Sequence, residues 1–179
     1  MYAMVQANQL IIRIARKEDA GNIANLVNIA YRSKLINKGW TNESELVSGN
    51  RIDEKSVESL IDRSLSTVLL ASGNDNAIAC AHLLKQNDSV YLGMLSVDPE
   101  VQGTGIGKHV LCEIEDYAWN ELAAESIIID VITQRIELIS FYQRRGYQIY
   151  GSPKEYPVHL NVGKPLRNDL TIQQLVKYR

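Results

Sequence analysis

Only two cysteines, Cys80 and Cys112, occur in 179 residues, and both sit inside apolar patterns. That scarcity excludes a disulfide framework, and their spacing excludes a CxxC metal site; both are expected as small buried side chains in a reducing compartment. The three histidines, His82, His109 and His159, lack the pairing of a catalytic zinc, for which about three ligands converge, so no metal is expected. Positive charge is not in excess either. With 19 Lys and Arg against 21 Asp and Glu, the net charge is −2, and no basic block exists to grip a phosphate backbone, which excludes a general nucleic-acid binder. No apolar run approaches the ~20 residues that span a bilayer, and no cleavable leader pattern opens the chain. The expectation is a soluble, cytoplasmic protein with a small-molecule partner, no nucleic acid and no membrane. Internal repeats and low-complexity tracts are absent, as is an activated Cys or Ser signature for covalent catalysis.

What is present suits one domain over residues 1–179, since 45% hydrophobic content can build one core. Residues 10–15 (LIIRIA) predict an opening strand. From Glu18 to Arg32 the period changes: Ile23, Leu26, Val27, Ala30 and Tyr31 recur at helical spacing, with Asp19 in the first turn. The stretch from Ser33 to Asp53 is a loop around Trp40, which either plugs the core edge or lines a ligand pocket. Glu43 and Glu45 are loop carboxylates that either face solvent or bind an amine and accept its proton. A short helix over 57–65 and a strand over 67–71 follow, closed by a turn at 72–76. Strands 77–84 and 89–97 form an antiparallel hairpin about the polar turn 85–88. His82, in the first of them, faces either core or cleft.

Residues 91–108, YLGMLSVDPEVQGTGIGK, are the centre of the reading. An apolar strand runs into a glycine-rich turn and then a helix of about five turns reaching Ala123, a geometry that offers backbone N–H groups to an anion. A P-loop is excluded because no Gly stands at 102 and His109 occupies the magnesium-binding Ser or Thr position. A dinucleotide fingerprint is excluded by the glycine spacing and the antiparallel hairpin before it. A turn needed only for tight packing remains the alternative. The run at 126–132 (SIIIDVI) reads as a strand covered on both faces, residues 135–145 as a helix ended by Gly146, and 147–150 as strand. Pro153, Pro157 and Pro165 prevent 151–168 from being one regular element, and 170–178 closes as strand.

The order LSVDP, QGTGIG, long helix, apolar strand and FYQRRGY, with Tyr142 at 35 positions after Gly107, resembles the GNAT N-acetyltransferase superfamily. The RxEL and FYxRRGY patterns with an upstream GWTxE are similar to a less characterised branch of it. The resemblance implies an α/β (α+β) fold: a mixed, mostly antiparallel sheet flanked by helices, splayed between the strand at 91–97 and the strand at 126–132. It implies acetyl-coenzyme A as co-substrate, with the pyrophosphate held by Gln102, Gly103, Thr104, Gly105, Ile106, Gly107 and Lys108. The pantetheine arm would pair with the backbone of Leu95 and Val97, and the Leu95 N–H would stabilise the thioester oxyanion, a donor worth ~3 kcal/mol of barrier.

By the same resemblance, Tyr142 is the general acid that protonates the departing thiolate; free phenol and thiol lie near ~10 and ~8.5. On residue type alone, Tyr142 reads rather as an amphipathic-helix residue with its ring in the core and its hydroxyl at the rim. The chain departs from the family where Asn often stands seven positions earlier: it has Arg135. Direct transfer to a primary amine, a small molecule before a protein or peptide, is the expected reaction, with Trp40, Glu43 and Tyr91 as acceptor-side candidates. A non-catalytic acyl-coenzyme A sensor is the alternative. The resemblance is compatible with a homodimer.

Overall fold

The computed structural model describes residues 10–33, 42–73, 76–160 and 162–179. The opening apolar run forms β1 (Ile11–Ile14), and α1 (Ala20–Arg32) follows. Asp19 joins them: its carboxylate accepts the Arg16 backbone N–H at 2.7 Å and two Arg13 guanidinium bonds at 2.7 and 2.8 Å. The stripe Ile23, Ala24, Leu26, Val27 and Ala30 is buried, as its three- and four-residue spacing requires. Past the short strand β2 (Val47–Ser48) comes α2 (Glu54–Asp62), three residues earlier at both ends than the apolar period indicates. Its start is set by Asp53, whose Oδ1 accepts the Ser56 N–H at 2.7 Å. Leu65, expected inside this helix, is exposed, with φ of 61°.

β3 (Ser66–Gly73), β4 (Asn76–Gln86) and β5 (Ser89–Val97) form an antiparallel meander. The β4–β5 turn is tighter than the polar stretch suggests. Lys85 pairs with Val90 and Gln86 with Ser89, leaving a two-residue turn in which Asn87 takes φ of 55°. After β5, α3 (Ile106–Asn120) crosses over to β6 (Ser126–Ile132). The helix stops short of Ala123, which adopts φ of 48° while the Ala124 N–H closes on the Ala118 carbonyl at 3.0 Å. α4 (Ile136–Gln143) ends through Gly146, at φ of 88°, with the Tyr147 N–H on the Tyr142 carbonyl at 3.2 Å.

β7 (Gln148–Glu155) runs farther than expected, straight through Pro153. It is an edge strand, and a register shift between Tyr150 and Lys154 absorbs the missing N–H. The pair β2 and β8 (Lys164–Pro165) stands apart from the main sheet, while β9 (Thr171–Tyr178) inserts between β6 and β7. The sheet order β1-β3-β4-β5-β6-β9-β7 is antiparallel except at β5 and β6.

Helices cover both faces. On one, α1 and α2 bury Val27 and Val57 against Val68, Leu70, Cys80 and Met94; on the other, α3 and α4 bury Val110, Leu111, Ile114 and Leu138 against Leu69, Leu83, Ile127 and Leu175. Cys80 is buried as expected. Cys112 is not: it lies on the exposed side of α3, because apolar spacing on a helix admits a position just beyond the buried stripe. Among the described residues no helix is long and apolar enough to cross a membrane.

Candidate functional site

The parallel pairing of β5 and β6 covers Ser89↔Ser126, Val90↔Ile127 and Tyr91↔Ile128, and ends there. Beyond it, His82 pairs with Gly93 and Cys80 with Ser96, so Met94 and Leu95 together oppose Ala81. This is a β-bulge, and Met94 holds it with φ of 57°. The extra residue reverses the side-chain parity. Val90 and Leu92 face the same core cluster as Leu95 and Val97, while Met94 points into the cluster under α1. Bulge and splay together leave the far edge of β5, from Leu92 onward, without a registered partner on β6.

The gap opens into a cleft of ≈ 120 Å³ lined by Tyr31, Glu43, Arg51, Tyr91, Leu95, Asp130, Tyr142 and Tyr156 among others. Tyr31, in the last turn of α1, donates its hydroxyl to the Leu95 carbonyl at 3.1 Å. The Leu95 carbonyl is thus turned toward the cleft, at the strand edge where the registered pairing with β6 has already ended. Tyr142 reaches the cleft from α4, one turn beyond Leu138. It is 6% exposed, with its ring edge-on to Phe141 and Tyr147 at centroid distances of 5.3 Å. Burial pushes the Tyr142 hydroxyl well above the ordinary phenol range, with Tyr31 adding to the effect. Tyr91 is raised to about 12, by burial first and then by neighbouring Asp130, with Arg51 opposing.

One arginine holds together the Glu43 side of the cleft. Arg32 pairs with Glu43 at 2.8 Å and donates to the carbonyls of Gly49 at 3.0 Å and Val162 at 2.8 Å, tying the end of α1 to the segment before α2 and to the segment before β8. With the pair's side chains only 8% and 11% exposed, Glu43 Oε2 is held in a largely buried ion pair. Glu45, the other loop carboxylate, is exposed and lies outside the cleft lining. Asp130, which interrupts the apolar run of β6, accepts Gln174 Nε2 at 3.1 Å.

The glycine loop lies at the end of β5 rather than in this cleft. Gln102 Nε2 bonds the Val97 carbonyl at 2.9 Å, and Thr104 Oγ1 bonds the Val101 carbonyl at 2.6 Å. Gly103 and Gly105 take φ of 83° and 89°, which only glycine adopts without strain. Gly105 caps α3 without a side-chain bond, so the first-turn N–H groups from Ile106 through Lys108 point out of the helix start. The Ile106 side chain is buried in the core, leaving only its backbone to meet a ligand.

Of the sequence-derived candidates, Leu95, Tyr91, Glu43 and Tyr142 thus converge on one cleft, and Val97 with residues 102–108 forms a second, contiguous stretch. Trp40 falls outside the described residues. Arg135 does not line the cleft: it is buried at the start of α4 with its Nε on Glu137 at 2.6 Å. His82 faces the packed side, 2.9 Å from Ser66 Oγ, and is depressed to about 4 by burial and by Arg63. Tyr31, Arg51, Asp130 and Tyr156 were not legible as site residues. Tyr31 reads as one member of a helix's apolar stripe, and only Asp130 leaves a trace, as a charge inside a β-branched run. Among the described residues no group of three or more His, Cys, Asp or Glu side chains converges as a metal site.

Residues 33–147 match the family model described as the acetyltransferase (GNAT) family. No curated protein matches the chain. Among solved structures, the fold is similar to that of a spermidine N-acetyltransferase from Vibrio cholerae in complex with CoA and spermine, at 18% identity over 96% of each chain and a TM-score of 0.70. It is also similar to an N-acetyltransferase from Staphylococcus aureus Mu50, at 16% identity over 94% of this chain and 97% of that one, with a TM-score of 0.72. The ribosomal-protein-S18-alanine N-acetyltransferase of Escherichia coli aligns at 15% identity over 94% and 93%, with a TM-score of 0.69. At such identities the likeness is one of fold.

Proposed function

The chain belongs to the GNAT acetyltransferase family, and from that premise we propose that it transfers an acetyl group from acetyl-coenzyme A directly to a primary amine. The observation that carries this reading is the gap between β5 and β6, where the bulged edge at Leu95 and the buried Tyr142 meet in one cleft. The peptide-like arm of the co-substrate suits an unpaired strand edge at Leu95 and Val97. Its pyrophosphate suits the uncapped start of α3, with Gln102, Gly103, Thr104, Gly105, Ile106, Gly107 and Lys108 offering backbone. The co-substrate supplies an acetyl thioester.

Each protein group then has a task. The Leu95 N–H polarises the thioester carbonyl and steadies the oxyanion formed on it, and the Tyr31 bond to the Leu95 carbonyl holds that strand residue in place. Tyr142 hydrogen-bonds the departing sulfur. Raised by burial, it gives up its proton only as negative charge builds there. The amine loses its proton toward Asp130 rather than toward Glu43, whose carboxylate is already engaged by Arg32, while Tyr91, which burial keeps protonated, can only hydrogen-bond the acceptor.

The test is release of free thiol from acetyl-coenzyme A across a panel of primary amines, with acetylated product measured in parallel. Thiol and acetylated amine appearing in equal amounts support the transfer reading. Tight binding of acetyl-coenzyme A with no thiol release from any amine overturns it in favour of a sensor.

A further inference from the structure

We infer that the acceptor carries a carboxylate next to its amine, and that Arg51 is the residue that holds it; the inference rests on the transfer reading above. Of the described residues lining the cleft, Arg51 is the sole cation. Neither carboxylate of the lining neutralises it. Glu43 is engaged by Arg32 at 2.8 Å, Asp130 takes its bond from Gln174, and among the described residues Arg51 forms no ion pair.

The cation is also built in. Asn28, on α1, accepts the Arg51 backbone N–H at 2.7 Å and donates its own amide to the Ile52 carbonyl at 2.8 Å. One helical turn later, the ring of Tyr31 lies under the guanidinium, 5.7 Å from its carbon to the ring centroid. A ring face engages the plane of a guanidinium and leaves its edge donors for a planar anion, for which the forked carboxylate is the natural partner. α1 thereby anchors the backbone of Arg51 and sets an aromatic ring beside its guanidinium before any ligand arrives.

Polarity across the cleft matches a zwitterion. Asp130 and Arg51 both act electrostatically on the Tyr91 hydroxyl, one raising and one lowering its proton affinity, so a carboxylate and a guanidinium flank the same spot. An acceptor with its carboxylate on Arg51 presents its amine toward Asp130 and the thioester end of the gap. A polycation meets the opposite situation, since its charge is repelled where the lining carries its cation. The volume of ≈ 120 Å³ is small beside the ~300–1,000 Å³ that enclose drug-sized ligands, which favours a compact amino acid.

The experiment compares matched acceptors, alanine against alaninamide and glycine against glycinamide, with spermidine as the polycation, by thiol release and by calorimetric titration of the coenzyme A complex. The amide partners are the weaker bases and hold more free amine, which biases the rates against the expected result. The carboxylate members are expected to have kcat/KM about tenfold higher or more. Arg51→Met is expected to bring that ratio close to one, chiefly through KM, and Arg51→Lys, which keeps the charge without the fork, to retain part of it. Equal kcat/KM within the matched pairs, a preference for spermidine, or a ratio untouched by Arg51→Met overturns the inference. Should no amine release thiol, the transfer reading fails by itself. The titration then still decides: alanine binding more tightly than alaninamide, lost in Arg51→Met, upholds the carboxylate site, and equal binding removes it.

Discussion

The Tyr31 hydroxyl donates to the backbone carbonyl of Leu95 at 3.1 Å, across 64 residues of sequence, and so fastens the end of α1 to the bulged edge of β5. Tyr31→Phe removes only that bond. Its net contribution to stability is about 1 kcal/mol, a small shift in the denaturant midpoint. The larger effect is expected on turnover, because the residue proposed to supply the oxyanion donor loses its restraint: kcat falls several-fold while the dissociation constant of acetyl-coenzyme A stays within about twofold. Equal loss in both would mean that Tyr31 serves the fold rather than the oxyanion.

Tyr142→Phe keeps the ring contacts with Phe141 and Tyr147 and deletes the hydroxyl that we propose protonates the departing sulfur. A general acid contributes on the order of 10²-fold or more, so kcat should drop by about that factor with little change in co-substrate affinity. Steady-state kinetics with a parallel titration separates the two. A variant with full turnover would strike Tyr142 from the mechanism.

Gly105 takes φ of 89° at the start of α3, and nothing lies within 4 Å of where its Cβ would stand. Gly105→Val therefore meets no clash; it incurs roughly 1–2 kcal/mol of left-handed strain and places a side chain beside the uncapped N–H groups. The expected outcome is a modest fall in melting temperature and a loss of about tenfold or more in acetyl-coenzyme A affinity. Calorimetry giving an unchanged dissociation constant would dissociate this loop from pyrophosphate.

His82 couples stability to acid pH. Burial lowers it from 6.5 to about 4 in the folded chain, so the unfolded chain binds the extra proton between those values. Stability is thus complete above pH 6.5 and declines as pH falls toward 4, by about 3 kcal/mol at most. Denaturant melts at pH 7 and pH 5 should differ in that direction, and His82→Gln should flatten the part of the slope that this residue carries. A slope unaltered in the variant would place the pH dependence elsewhere.

Local signals were strong wherever a residue's own conformation decides its structure. The β-branched run at 126–132 is β6 to the residue, Gly146 takes the left-handed turn that ends α4, and Gly103 and Gly105 take the positive φ that lets the loop turn into α3. Boundaries slipped where a cap or a left-handed residue intervened, as at Asp53 before α2 and Ala123 after α3.

The splay and the bulge lie at a deeper level. The resemblance implied an opening between the strand at 91–97 and the strand at 126–132, and the pairing ends at Tyr91↔Ile128 accordingly. That Met94 holds the bulge, however, follows from its packing under α1, a contact between elements far apart in sequence. The amino-acid sequence by itself determined the element types, the left-handed turn of the glycine loop into α3 and the family order of its motifs, because these rest on short-range sterics and periodicity. The tertiary structure alone decided the composition of the cleft. Tyr31, Arg51, Tyr91, Asp130 and Tyr142 come from five separated segments, and their charges pair, or stay unpaired, only once helix and strand edges bring them within a few ångströms.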